Sequence, residues 1–360
     1  MPHPTVTRAA PLFFGLDVGD RTTHLCCVDG RRVVVERLSF PTTREGIGKV
    51  FADRAPARIV LEVGSQSPWM SDLLRSLGHD VIVADARRVA QLTRAGRKTD
   101  RRDAETLARL LQGMPELLGA IHHRGREAQT DLAMIRARDV LVRTRTRLVQ
   151  HVRGTLKVFG LRTLSCSAKA FHSKARKDVP EDLQPALAPI LDQLADLEQR
   201  IRHFDREIER IAEERHPAAA RLRQVNGVGP LTSLAFVLSV DDPSRFKKSR
   251  RVGSWLGLCP KVMASGDRDP QLSISKAGCS YLRRLLVQSA QYMLGPFGKD
   301  GDLRRFGLRL CERGGKAAKR RAVVAVARKL SVLLHRLWIS GEPYEPLRNS
   351  LRVAAATSSN

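Results

Sequence analysis

The N-terminal third of the chain alternates short apolar runs with amphipathic stretches. Residues 12–18, LFFGLDV, read as a buried strand carrying one acid, Asp17. His24 to Val28 and Arg32 to Leu38 read as two more strands, joined by Asp29-Gly30, a strong hairpin signal. Thr42 to Phe51 has helical spacing. Arg58 to Val63, RIVLEV, is a short strand with Glu62 near its end. Pro68 to Leu77 predicts a helix and Val81 to Ala84 a fifth strand. Asp20 and Asp85 fall near strand ends and read as turn and cap residues.

From Lys98 the pattern becomes helical. KTDRRDAETLARLL (98–111) opens with a capping residue, Thr99 or Asp100, and continues through Leu107, Leu110 and Leu111. A long helix is expected over 126–160, with an apolar seam interrupted by Asp139 and Thr146. Residues 161–180 are poorly patterned and read as a mobile basic connection. Leu187, Ile190, Leu194, Leu197, Ile201, Phe204, Ile208 and Ile211 then alternate three- and four-residue steps, a heptad seam that predicts a coiled coil. It can pair with the 126–160 helix or with a second chain, and a contribution to dimerisation is the favoured expectation. Helical patterns resume after Pro217 and end with a basic helix, Lys316 to Trp338. The tail after Pro346 reads as disordered.

Three strands joined by hairpins, followed by alternating helix and strand, give the order of a RuvC/ribonuclease-H-like α/β fold. The expected organisation is thus such a domain over 12–125, a basic helix and coiled-coil region over 126–216, a mostly helical domain over 217–345, and the tail 346–360.

Charge narrows the partner. The 360 residues carry a net charge of +26, from 63 Lys and Arg against 37 Asp and Glu, which calls for a polyanion such as nucleic acid. No apolar run approaches the roughly 20 residues of a membrane span, and the N-terminus lacks a signal-peptide core. A cytoplasmic protein of the bacterial nucleoid, without membrane contact, is expected. The six cysteines form no CxxC and read as free thiols.

Candidate chemistry lies first in the acids. An aspartate inside an apolar strand is costly unless paired, so Asp17 needs a reason. Asp100 and Asp103 share one helical face, where they either favour the helix dipole or hold a cation. The expected strand order places Asp17 and Glu62 at one sheet edge, beside the helix of Asp100 and Asp103. Four carboxylates then converge in all-oxygen surroundings suited to Mg²⁺, with Mn²⁺ as a possible substitute. Two-metal sites of this kind suit phosphodiester chemistry. Arg143 and Arg147 on the long helix are either a solvated face or phosphate contacts. Asn226-Gly227-Val228-Gly229-Pro230 precedes an apolar helix and resembles a helix-hairpin-helix element, with Gly227 and Gly229 exposing backbone N–H groups to DNA phosphate. Basic Lys247 and Lys248 follow closely.

Taken together, GLDVG (15–19), KTDRRDAETLARLL (98–111), NGVGPLTS (226–233), WLGLCP (255–260), SGDRDPQLSISKAGCSYLRR (265–284) and SGEPY (340–344) resemble the DEDD-type insertion-sequence transposases, the bridge-RNA-guided recombinases. The resemblance runs roughly from Phe13 to Tyr344. One departure is visible: the family's Gly-aromatic pair after the glutamate is replaced here by Val63-Gly64-Ser65-Gln66-Ser67-Pro68. The resemblance implies that Asp17, Glu62, Asp100 and Asp103 bind metal and that Ser265 attacks a DNA phosphate, forming a 5′- or 3′-linked phosphoserine. It also implies phosphate contacts from Lys276, Arg283 and Arg284, double-stranded donor and target DNA, a guide RNA, and a homodimer assembling to a tetramer with a composite site. Two alternatives stand beside it. One is a RuvC-like structure-specific nuclease using metal-activated water; the other is a non-catalytic nucleic-acid-binding relative.

Overall fold

A computed structural model describes residues 11–92, 100–162, 165–263, 270 and 272–350, with backbone only at 100 and 101. The chain divides into two units, Met1–His123 and Arg124–Asn360.

In the first unit, β1 (Phe13–Val18), β2 (Thr22–Val28) and β3 (Val34–Pro41) form an antiparallel meander. α1 (Arg44–Phe51) leads to β4 (Arg58–Glu62), then α2 (Ser67–Ser76), β5 (Asp80–Ala84), α3 (Ala86–Leu92) and α4 (Asp100–Gly113). β4 and β5 are parallel to β1, giving a five-stranded sheet in the order β3-β2-β1-β4-β5. This mixed sheet is compatible with a RuvC-like domain. Strand alternation sends Phe14, Leu16, Leu25, Cys27, Ile59 and Leu61 to one face, where Ile47 and Phe51 of α1 and Met70 and Leu74 of α2 cover them. Val60, Ala84 and Cys26 face the other side, against Val89 of α3 and Ala104, Leu107 and Ala108 of α4.

The hairpin between β2 and β3 differs in detail from expectation. Its left-handed residue is Arg32 (φ 66°), not Gly30, and the Asp29 carboxylate organises the turn by accepting from the backbone N–H groups of Arg31 and Val33, each at 2.9 Å. Asp85 caps α3, accepting from Arg87 N–H at 2.9 Å.

The second unit is helical. α5 (Arg126–Val158) and α7 (Gln184–Glu214) pack along each other, with α6 (Phe171–Ala175) between them in sequence. The partner of the α7 apolar stripe is therefore α5 of the same chain. Leu191, not Ile190, takes the buried position in the second turn, while Leu187, Leu194, Leu197, Ile201, Ile208 and Ile211 are buried as spaced. Buried Glu198 is answered by Arg145 at 2.6 Å and Arg202 at 3.3 Å. Residues 168–179 form short helical turns rather than a mobile connection: Phe171, Ala175 and Val179 join Val152, Leu156 and Leu191 in a core, which fixes the segment.

α8 (Pro217–Leu222), α9 (Pro230–Val240), α10 (Arg250–Trp255), α11 (Ser280–Leu294), α12 (Asp302–Cys311) and α13 (Gly315–Ser340) complete the unit. α9 is buried from Thr232 to Val240 and sits at the centre of the largest core. Residues 346–350, expected to be disordered, are tied to the start of α12: Asp302 accepts from Asn349 N–H at 2.7 Å and from the Ser350 hydroxyl at 2.6 Å.

Candidate active site

One close approach organises the first unit. A Cβ on Gly15 would stand 2.1 Å from the Ala104 carbonyl oxygen and 2.5 Å from the Ala108 nitrogen, so the missing side chain lets the α4 backbone rest directly on β1. Gln112, near the end of α4, reaches the Gly30 carbonyl at 3.1 Å, close to where β2 pairs with the start of β1. α4 thus runs antiparallel to β1, and its N-terminal turn lies toward the end of β1 that carries Asp17. Asp17 follows Gly15 by two residues and takes the same face of the sheet. Glu62 follows Val60 by two residues on the neighbouring parallel strand and takes that face as well. Asp103, in the first turn of α4, immediately precedes Ala104.

The fold therefore brings Asp17, Glu62 and Asp103, all half-buried, to one end of one sheet face. Asp100 is the first residue of α4, and its side chain lies outside the described residues. Glu105 is turned elsewhere: Arg37 on β3 at 2.7 Å holds its carboxyl below the usual carboxylate range. His24, which no sequence pattern singled out, is the direct cross-strand neighbour of Asp17, and its Nδ1 lies 2.7 Å from Ser39 Oγ. Its only sequence signal was its place in a strand opposite an acid.

The segment after Glu62, which departs from the family pattern, is closed by a serine. Ser67 Oγ accepts from Gly64 N–H at 3.0 Å, donates to the Gly64 carbonyl at 2.8 Å and lies 3.0 Å from His123 Nε2. Trp69 Nε1–H donates to Gln66 at 2.6 Å across the same turn.

In the second unit, Ser265 lies outside the described residues, but the frame from which its segment springs does not. Pro260 and Ile274 form a β-bridge, Lys261 N–H donates to Ser273 at 3.0 Å, and Ser275 N–H donates to Cys259 at 2.9 Å. Below this, two glycines interlock. Gly257 (φ 68°) has the Ala277 nitrogen 2.3 Å from where its Cβ would be, and Gly278 (φ 69°) has the Trp255 carbonyl oxygen at 2.0 Å. The WLGLCP and SKAG stretches, far apart in sequence, are thereby one structural element.

The basic residues singled out from the sequence separate into two groups. Arg283 is structural: one guanidinium nitrogen donates to the Leu256 carbonyl at 2.8 Å and to the Ala277 carbonyl at 2.7 Å, bolting the glycine frame. Arg284 and Arg143 both pair with Asp139, at 2.5 and 2.7 Å, which explains the acid in the α5 seam. Lys247, Lys248, Lys276 and Arg147 are exposed. Gly227 (φ 79°) packs against Tyr292 and Met293 of α11, whereas Gly229, at the N-cap of α9, faces open space.

A separate cluster, Glu127, Asp131 and His216, has donor atoms within 4.8 Å of one another. Arg215 already bridges Glu127 and Asp131, at 3.1 and 2.9 Å, and His216 lies 2.8 Å from Asp131. A guanidinium thus occupies the position a cation would need, and the cluster is an ion-pair network joining α5 to the end of α7.

Residues 14–160 match a family profile of DEDD transposases of the IS110 type, and residues 219–299 match the transposase IS116/IS110/IS902 family. The chain is 30% identical to a probable family 20 transposase of Pseudomonas aeruginosa, over 77% of this chain and 82% of that one. It is 27% identical to the transposase for insertion sequence element IS1111A of Coxiella burnetii, over 92% and 90% of the two chains. A similar likeness, 27% over 77% and 82%, holds for the transposase for insertion sequence element IS1328 of Yersinia enterocolitica.

Proposed function

The chain belongs to the IS110 family of transposases, and from that premise we propose that it excises and inserts a mobile DNA element through a serine–DNA intermediate, directed by a structured RNA. The DEDD class implies use of a divalent metal. The donor chemistry suits one: Asp17 and Glu62 lie near the ends of adjacent parallel strands on the face that α4 covers, and Asp103 lies in the first turn of that helix, an oxygen-only set of the kind Mg²⁺ takes. Asp17, Glu62, Asp100 and Asp103 would hold the ion. Bound there, it would supply Lewis-acid stabilisation to a transferring phosphoryl group.

Ser265 is the proposed nucleophile. Its Oγ bonds to phosphorus as one P–O bond to deoxyribose breaks, and its proton passes to the leaving oxygen. One phosphodiester replaces another, so the bond is conserved for rejoining. The observation that carries the reading is the seat of α4 on Gly15, which leaves Asp17, Glu62 and Asp103 at one end of the sheet. Lys247, Lys248, Lys276, Arg147 and Gly229 remain the proposed phosphate contacts. Double-stranded donor and target DNA, a guide RNA and a dimer-based assembly complete the proposal.

The test compares Ser265→Ala with Asp17→Ala on DNA carrying an element end, with Mg²⁺ present. Both variants should lose cleavage together with the protein–DNA adduct seen on denaturing gels, because strand breakage and adduct formation are one step. Cleavage that survives Ser265→Ala but not Asp17→Ala would convert the reading to a water-using nuclease. RNA should co-purify with active protein, and its absence would remove the guide.

A further inference from the structure

A second feature of the helical unit is unused by this chemistry. α12, α13, the Pro260–Ile274 bridge and the 343–350 segment line a cleft of about 1260 Å³. That exceeds the roughly 300–1,000 Å³ of small-ligand sites, so a polymer suits it better than a metabolite. Its rim is cationic. Exposed Arg309 on α12 and Arg320, Arg321 and Arg328 on α13 line it, and none has a carboxylate partner among the described residues. Arg305 and Arg348 also line it but are committed, to Asp300 and Glu342 at 2.6 Å each. The two lining acids are Asp302 and Glu345, and Asp302 is already engaged by the backbone of Asn349 and Ser350. Its floor is apolar: Leu258, Ile274, Val324, Leu333 and Phe306, the last with Lys329 Nζ 3.9 Å from its ring centroid.

We infer that this cleft binds an unpaired strand of DNA. The arginines match the regular phosphate charge, and an apolar floor accepts base faces only when those faces are not stacked inside a duplex. A duplex would meet the rim and leave the floor unused. The choice of DNA over RNA follows from the proposed function, in which the strands that come apart are DNA. The inference deepens the proposed function, on which it rests: cutting and rejoining duplex DNA requires strands to separate locally, and the cleft holds one of them.

The experiment uses the full chain in EDTA, so that binding is read without cleavage. Fluorescence anisotropy follows a labelled single-stranded DNA of about 16 nucleotides, its duplex and the same sequence as RNA. Wild type should bind the DNA strand, and the cleft variants should weaken that binding more than binding of duplex or RNA. Arg309→Gln/Arg321→Gln/Arg328→Gln should weaken strand binding about tenfold or more and flatten the log-affinity against log-salt slope by about 2. Lys157→Gln/Arg162→Gln/Lys169→Gln, which removes the same charge elsewhere in the unit, should change the affinity less than threefold and is the control for net charge. Val324→Ser should lower strand affinity and spare the duplex. Equal losses in the two triple variants, a loss of duplex or RNA binding in the cleft variant as large as its loss of strand binding, or an unchanged Val324→Ser would each overturn the inference. Thermal melts confirm that every variant is folded. Strand binding can fail here while wild-type protein still excises an element, so the two readings fall separately.

Discussion

In the sheet unit a carboxylate is an exception to its surroundings. Asp17 follows buried Phe14, Gly15 and Leu16, and Glu62 follows buried Ile59, Val60 and Leu61. In the helical unit an arginine is the ordinary surface residue, and the same residue type serves opposite ends. Arg283 holds two backbone carbonyls, Arg284 neutralises Asp139, and Arg328 lines a cleft with no carboxylate partner among the described residues. An acid in an apolar strand has few structural uses, so its chemistry can be argued from position alone. An arginine in a chain of net charge +26 carries little information until its partners are known.

The contrast is broken most sharply by substituting one residue of each kind. Asp17→Asn keeps the volume and removes the charge, and should reduce DNA cleavage by at least about a thousandfold with little change in melting temperature. Arg283→Ala should do the reverse. It removes two bonds to buried carbonyls and should cost about 2–3 kcal/mol, read as a lower denaturation midpoint. If Arg283→Ala left stability intact while abolishing binding, the division drawn here would be wrong.

Gly15→Val tests the seat beneath the acids. Its side chain would collide with the Ala104 and Ala108 backbone, which cannot yield as a flexible side chain could. A loss of about 3 kcal/mol is expected, together with loss of Mg²⁺-dependent cleavage. Gly278→Ala is the counterpart in the second unit, where the Trp255 carbonyl blocks the added carbon. A stable, active Gly15→Val protein would mean that α4 does not position Asp103.

Much of the sheet unit was legible because alternation marks a strand and an acid within it stands out. The fold class followed from three hairpin-joined strands succeeded by alternating helix and strand. The glycine frame of the second unit was not legible. Gly257 and Gly278 belong to separate stretches, and only the fold shows that the backbone beside each fills the space where the other's Cβ would stand, Ala277 against Gly257 and Trp255 against Gly278. Residues 168–179 were misread for a related reason: Phe171 and Val179 are buried singly, at spacings with no period, in a core supplied by α5 and α7. The α7 stripe was legible, but its partner was not, since a heptad seam records a face and not what covers it.

A smaller effect comes from His335. It is fully buried on α13, with Nδ1 3.0 Å from Ser249 Oγ and Nε2 3.0 Å from the Pro243 carbonyl, a pairing that suits the neutral ring. Burial pushes its pKa below the usual 6.5. The unfolded chain therefore binds the extra proton first, and the stability contributed is present above about pH 6.5 and lost as pH falls through the lowered value. Wild type should lose about 1 kcal/mol more than His335→Gln between pH 7 and about pH 5.5. Parallel melting curves for the two proteins would remove His335 as the cause.

The smallest predicted effect separates the two units at a single hydroxyl. Tyr281 lies at the start of α11, beside the glycine frame, and its hydroxyl is buried with no hydrogen-bond partner among the described residues. Burial, reinforced by the nearby charge of Asp139, pushes its pKa up to about 12, so the group is neutral throughout the working range. Its ring is used, with the Arg284 guanidinium 5.1 Å from the centroid. Tyr281→Phe keeps that ring and removes an unsatisfied polar atom, so stability should hold or rise by up to about 1 kcal/mol. Thr23, buried in the sheet unit, is the comparison, because its hydroxyl is bonded to Thr42 at 2.8 Å. Thr23→Val should therefore cost about 1 kcal/mol, opposite in sign to Tyr281→Phe. Denaturant midpoints of the two variants measure the difference. A destabilised Tyr281→Phe protein would show that the hydroxyl has found a partner in solution and that the frame beside it is packed more loosely than its glycines require.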